Sequence, residues 1–117
     1  MFWCDKVTGL SENFWLRAMG WYAMALIDTM EVMPESMTCQ KARLNAIYKE
    51  LIDAMLPYQD QATGMWYQVV NRGGIAPNYL EESGSAIFAY AIMKSVRLHY
   101  LPDDYFKYGQ KAFEGIC

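Results

Sequence analysis

Apolar residues along this chain fall into two alternating patterns, and the alternation predicts four helices. Between Gly20 and about Val32 they occupy nearly every face, with Ala23, Met24, Ala25, Leu26, Ile27 and Met30 in close succession. A helix of that kind is covered all round. Pro34 ends it, because proline pushes the preceding residue out of the α region and cannot donate to the turn before it. Residues 39 to 58 are one-sided instead: Leu44, Ile47, Tyr48, Leu51, Met55 and Tyr58 recur at three- and four-residue steps, while Lys41, Arg43, Lys49, Glu50 and Asp53 take the other face. Thr38 stands at the N-cap position of this second helix. The two patterns then recur. Gly84 to about Val96 is apolar on all sides, and an amphipathic segment runs from Pro102 onward with Tyr105, Ala112, Phe113 and Ile116 as its stripe.

Loops separate these elements. Residues 1 to 19 carry the turn formers Asp5, Thr8-Gly9 and Ser11 around isolated apolar positions. Between Gln59 and Asn78, Met65-Trp66-Tyr67-Gln68-Val69-Val70 reads as extended and Arg72-Gly73-Gly74 as a tight turn. Connections of this length in compact proteins tend to be functional. Covered helix, one-sided helix, long loop, then the same again is the order of an all-α toroid of helical hairpins, in which inner helices are enclosed and outer ones meet water. An offset of 64 residues aligns Gly20 with Gly84 and Ala25 with Ala89, as a hairpin repeat would. Two hairpins do not close a ring, so residues 1–117 read as part of a larger single domain.

Composition points the same way. With 54% hydrophobic and only 20% charged positions in 117 residues, the chain carries more apolar surface than a few helices of its own can enclose. A formal net charge of −3 and singly scattered Lys and Arg residues exclude a nucleic-acid partner. The apolar runs are too short and too interrupted to span a bilayer, and residues 1 to 12 lack a basic and then apolar leader, so no membrane partner and a cytoplasmic location are expected. Cys4, Cys39 and Cys117 are far apart and lack the spacing of a zinc site or a disulfide framework, so neither metal nor cofactor is expected.

The chemistry concentrates in Phe14-Trp15-Leu16-Arg17-Ala18-Met19-Gly20-Trp21-Tyr22, where Trp15 and Trp21 flank Arg17. Indole faces pack on the apolar faces of pyranose rings, and a guanidinium presents a planar fork of donors to hydroxyls or to a uronate carboxylate. The same trio also suits an aromatic core cluster with a stacked arginine. Trp66 either extends that platform or packs in the core against Tyr67. Glu81 and Glu82 are read as negative charge complementing a helix start, with Ser83 or Ser85 as the cap. His99, the only histidine, follows Arg97 at a helix end, where its side chain would satisfy terminal carbonyls. Asp28 lies within an apolar helix and calls for a hydrogen bond from an aromatic hydroxyl or an indole nitrogen. Asp5, Asp53, Asp103 and Asp104 lack a partner that would tune a carboxyl toward neutral pH.

Five spaced blocks carry a resemblance. Trp3-Cys4-Asp5 with Thr8-Gly9-Leu10-Ser11, then Phe14 to Tyr22, then Gly64-Met65-Trp66-Tyr67-Gln68-Val69, then Asn78-Tyr79-Leu80-Glu81-Glu82-Ser83-Gly84-Ser85, and Gly115-Ile116 after the Tyr100-Leu101-Pro102 turn follow one another in this order. In that order they resemble the unsaturated glucuronyl and rhamnogalacturonyl hydrolases, glycoside hydrolase family 105, with family 88 as a more distant relative. The resemblance implies a six-hairpin (α/α)6 barrel of roughly three times this length, of which the chain would be the C-terminal third without the N-terminal hairpins. It implies as substrate an unsaturated uronic-acid oligosaccharide from pectin breakdown, with a C4=C5 unsaturated galacturonyl unit at its non-reducing end. In such enzymes an aspartate protonates the enol ether and assists water addition, giving a hemiketal that rearranges and expels the neighbouring sugar.

Residue by residue, the family's Trp-x-Arg-x-x-x-Trp substrate-contacting triplet falls on Trp15, Arg17 and Trp21, with Trp66 as a further aromatic candidate. The resemblance puts the catalytic aspartate and a substrate-contacting histidine upstream of Met1, so no catalytic residue is expected here and the chain alone is expected to be inactive. Leu16 stands where the family usually has a small residue, and Pro77 replaces a common glycine. The alternative, from another class, is a helical assembly module that buries its exposed apolar helix faces by self-association.

Overall fold

The computed structural model describes residues 4–117; Trp3, which opens the first motif block, lies outside them. Among these residues four helices form, α1 (Leu16–Val32), α2 (Thr38–Met55), α3 (Glu82–Arg97) and α4 (Phe106–Ile116). α1 begins at Leu16, earlier than the expected Gly20, because its start is not set by a local signal. Trp15 occupies the N-cap with extended backbone and no side-chain cap bond, and it is pinned by a β-bridge to Val69. α2 begins with Thr38 itself, which is therefore not its cap; the hydroxyl donates to the Glu35 carbonyl at 3.0 Å, within a short 3₁₀ turn at Glu35–Met37. Tyr58 falls beyond α2 in the turn Leu56–Tyr58 and is exposed, as is Ile47; Phe113 on α4 is exposed while Gly109 and Ala112 are buried.

α1 and α3 run side by side in the same direction. Leu16 meets Gly84, Gly20 meets Ile87, Asp28 meets Tyr90 and Lys94, and the Met30 carbonyl accepts from the Tyr100 hydroxyl, a ladder that rises in step along both helices. α2 packs on α1 and α4 on α3, so the chain is two hairpins joined along their inner helices. Tyr48 of α2 donates to Ser95 of α3 at 3.2 Å, and Lys49 and Asp53 of α2 both hold the Tyr105 hydroxyl. This is a segment of an (α/α)6 barrel. α1 departs from the expected helix covered all round: Leu16, Gly20, Ala23, Leu26, Ile27 and Met30 form its buried stripe, whereas Trp21, Tyr22 and Val32 are exposed. Only one flank of α1 has an inner-helix neighbour among the described residues.

The shape reflects this. The molecule is a slab of 48 × 40 × 19 Å. Its 7401 Å² of surface exceeds the roughly 6500 Å² of a self-contained monomer of this mass. A wall cut from a larger body has such an excess.

The hairpin repeat also shows in the turns that precede the inner helices. Asp5-Lys6-Val7-Thr8-Gly9 and Asp60-Gln61-Ala62-Thr63-Gly64 fold alike. In each, the aspartate carboxylate accepts from the next-but-one N–H, from the threonine N–H and from the threonine hydroxyl, at 2.7–2.9 Å in the first turn and 2.8–3.2 Å in the second. In each, the glycine N–H returns to the aspartate carbonyl, and the glycine adopts a positive φ of 72° or 78°. α1 starts seven residues after Gly9, but α3 starts eighteen after Gly64. The second repeat therefore carries extra chain, and it forms the loop from Val70 to Asn78.

α3 ends in a Schellman arrangement in which the Tyr100 N–H donates to the Ser95 carbonyl and the His99 N–H to the Val96 carbonyl. His99 satisfies the helix end through its backbone rather than its imidazole, and it does so in the left-handed region, at φ 61°. His99→Gly is therefore expected to raise stability by about 1 kcal/mol, read as a higher urea midpoint. At the closest approach of the inner helices, a Cβ on Gly84 would lie 2.5 Å from Leu16 Cγ. Gly84→Ala is expected to cost about 1–3 kcal/mol by overpacking, measured by the same denaturation; an unchanged midpoint would show that the two helices can part freely.

Candidate functional site

Three short extended segments meet where α1 and α3 begin. The Leu16 N–H donates to the Gln68 carbonyl (2.9 Å) and the Val70 N–H to Phe14 (2.8 Å), while Gln68 donates to Tyr79 and Glu81 to Trp66 (both 2.9 Å). Trp15 thus bridges Val69, and Tyr67 bridges Leu80, both antiparallel. The two inner helices leave this patch with their N-termini together. Trp66 lies beneath it, fully buried, its indole N–H donating to the Met55 carbonyl at 2.9 Å and its backbone N–H to Ser85 Oγ at 3.0 Å. Trp66 is therefore core, packed 5.3 Å from the Phe88 ring rather than on Tyr67, and it does not extend the aromatic platform.

Trp15 and Trp21 have the opposite fate. They are 46% and 59% exposed, and Arg17 between them is exposed too. Arg17 and Trp21, four residues apart, share one face of α1, and Trp15 stands at its N-cap. The Arg17 guanidinium has no hydrogen-bond or salt-bridge partner among the described residues, so the alternative of a core cluster with a stacked arginine does not hold.

The two helix starts differ electrostatically. α3 is capped by Glu81, whose carboxylate accepts from Gly84 N–H and Ser83 Oγ (both 2.6 Å) and from Ser83 N–H (3.3 Å), with Glu82 in its first turn. The expected caps have other work: Ser83 donates to Glu81, and Ser85 receives the Trp66 N–H. Burial pushes the Glu81 carboxyl up, but these bonds and the nearby Arg17 charge outweigh it and hold it below the ordinary glutamate value. α1 has neither a side-chain cap nor an acidic residue in its first turn. Its N-terminal dipole and Arg17 therefore leave positive potential directed at solvent, a setting that favours an anion.

Trp15 also stands between two hollows. One, of about 470 Å³, is lined by Cys4, Asp5, Leu10, Ser11, Glu12 and Asn13. The other, of about 520 Å³, lies against the Val70–Asn78 loop, and Arg17 and Trp21 line neither. Asn13 and Arg72, which shape the second hollow with Asn78, are not singled out as site residues by any motif; the extra length of the second repeat is the signal that marks their loop. Elsewhere Asp28 receives the Tyr90 hydroxyl at 3.0 Å, the aromatic partner expected of it, together with Lys94 at 2.7 Å. Lys94 also pairs with Glu31, so this cluster ties α1 to α3. Among the described residues no group of three or more His, Cys, Asp or Glu could hold a metal ion, and no helix is long and apolar enough to cross a membrane.

Two helical hairpins packed along their inner helices place the chain in the class of (α/α)-barrel proteins, as one part of such a barrel. Residues 1–117 match the family model described as Glycosyl Hydrolase Family 88, and the chain belongs to this glycoside hydrolase family, on its family 105 side. The structure of a C. acetobutylicum glycoside hydrolase from family 105 superposes with a TM-score of 0.91 at 45% identity, covering 97% of this chain and 31% of that one. The 24.9 kDa protein in the picA locus of Rhizobium radiobacter is 40% identical over 96 residues, 82% of this chain and 40% of the relative. Unsaturated rhamnogalacturonyl hydrolase YesR of Bacillus subtilis is 30% identical over 97% of this chain and 30% of its own length. The chain thus spans less than half the length of each of these three relatives.

Because the folded Glu81 carboxyl titrates below the ordinary glutamate value of 4.5, its stabilisation is complete above that value and is lost as pH falls through the lower, folded one. Glu81→Gln is expected to cost about 0.5–2 kcal/mol at neutral pH, a gap that narrows in acid once the wild-type carboxyl is protonated, measured by urea unfolding across pH.

Proposed function

We propose that this chain forms the sugar-binding wall of a hydrolase of the unsaturated rhamnogalacturonyl hydrolase type, acting on unsaturated uronyl oligosaccharides of the kind left by pectin breakdown. The observation that carries the reading is the exposure of Trp15, Arg17 and Trp21 at an α1 N-terminus with no carboxylate of its own. Arg17 and the first-turn amides beyond Leu16 bind the uronate carboxylate at C5, and the two indoles cover the ring and keep bulk water off it. In the reaction a proton is added to C4 and water to C5 of the enol ether. The resulting hemiketal opens to a C5 ketone, and the hemiacetal at C1 then releases the neighbouring sugar as an alcohol. This chain binds and orients, and the proton donor is an aspartate on polypeptide outside residues 1–117. Positioning residues without the donor retain little of the rate, so the chain alone turns over no substrate.

The test is a chimera in which residues 1–117 replace the matching part of the C. acetobutylicum enzyme. Unsaturated digalacturonate is expected to lose its enol-ether ultraviolet band with the chimera and not with the chain alone. Arg17→Ala in the chimera is expected to lower kcat/KM by about tenfold to a hundredfold, the loss of one charge-assisted pair. A folded chimera without turnover would dismiss the activity, and turnover by the chain alone would place the proton donor within it.

A further inference from the structure

The extra loop of the second repeat builds a hollow that Trp15 lines and that Arg17 and Trp21 do not. Its lining has the composition of a sugar-binding surface. The Trp15 indole, Val69, Ile75 and Pro77 supply apolar surface, and Asn13, Gln68 and Arg72 supply planar polar groups. The loop is braced from within: Asn78 Oδ1 accepts from the Val69 N–H at 3.0 Å, and its Nδ2 donates to the Val69 and Arg72 carbonyls at 2.9 and 2.8 Å. Asn71 ties the same loop to the N-terminal segment, accepting from the Phe14 N–H at 3.0 Å and donating to the Glu12 carbonyl at 2.9 Å. Against that frame Arg72 is aimed by one bond, Nε to Asn13 Oδ1 at 2.9 Å, which leaves both terminal nitrogens of its fork without a partner among the described residues. The Asn13 Nδ2 and the Gln68 side-chain amide are likewise unengaged among the described residues.

Charge separates this hollow from its neighbour across Trp15. Arg72 is the one charged residue lining it, whereas the other is lined by Asp5 and Glu12. An anionic sugar is drawn to the first and repelled by the second. In repeat proteins, insertions within one repeat commonly collect on the binding face.

We propose that the hollow between Trp15 and the 70–78 loop is a subsite for a second acidic sugar, the one joined to the unsaturated uronyl unit, and that Arg72 selects a carboxylate there. The inference rests on the reading of Trp15, Arg17 and Trp21 as the uronyl site, and makes Trp15 the wall shared by both sugars. Asn13 holds the Arg72 fork in position, and the free Asn13 and Gln68 amides meet ring hydroxyls.

The chain itself serves for the test, with NMR of the Trp21 indole N–H reporting the uronyl unit and the Asn13 and Gln68 side-chain amides reporting the second sugar. Titration with unsaturated digalacturonate is expected to shift both sets. Arg72→Gln is expected to weaken that disaccharide about tenfold and leave unsaturated galacturonyl-rhamnose unchanged, Arg72→Lys to fall between, and Arg17→Ala to weaken both sugars. An Arg72→Gln chain that binds the diuronide as before, or loses both sugars equally, overturns the subsite; if Arg17→Ala still weakens binding, the uronyl site stands without it. Loss of neither sugar in either variant, or no shifts at all at millimolar sugar, overturns both.

Discussion

Backbone pairing over a buried indole is the constraint from which the rest of this structure follows. Segments 14–16, 66–70 and 79–81 exchange main-chain hydrogen bonds in a region with no regular sheet, and Trp66 beneath them bonds to α2 through Met55 and to α3 through Ser85. Each bond satisfies a polar group that would otherwise be buried unpaired, so the patch resists displacement as a unit. Both inner helices start from it. α1 has no cap residue, and Trp15 is held in extended backbone only because Val69 lies opposite. The placement of the exposed Trp15 indole is thus a consequence of chain fifty residues away.

From this shared base the two helices diverge in charge. α3 answers its own dipole with Glu81, while α1 leaves its first turn without a carboxylate and Arg17 exposed. The field of Arg17 reaches Glu81, so the neighbouring cap is steadied by the cation exposed at the start of α1. An acidic ligand carboxylate would find its complement at α1 and a like charge, already hydrogen-bonded, at α3. The adjoining hollow repeats the arrangement on a smaller scale, with one braced arginine and no acid beside it.

Much of this was legible in the order of residues. Periodicity placed four helices and their pairing into hairpins, because spacing of three and four residues is a property of the chain alone. The Gly20–Gly84 alignment proved to mark the close contact of the inner helices, with Leu16 and Ile87 filling the opposite positions. The hydroxyl partner of Asp28 could be expected because an acid on an apolar helix must find a donor. Of the doubled Asp-x-x-Thr-Gly turn only the first copy stood out as turn formers, and the doubling is apparent once each carboxylate is seen gathering the same three donors.

Other features were beyond local reading, and the tryptophans show why. Trp15, Trp21 and Trp66 are one residue type in similarly apolar surroundings of sequence, yet two face solvent and one is sealed in the core. Residue chemistry and spacing specify which surfaces can bind a sugar or form a helix, because those properties belong to the side chain and its near neighbours. Burial belongs to pairs of segments far apart in the chain. Whether Trp66 is sealed, Glu81 rather than a serine caps α3, α1 starts at Leu16, or His99 turns left-handed is set by what the other hairpin brings against it.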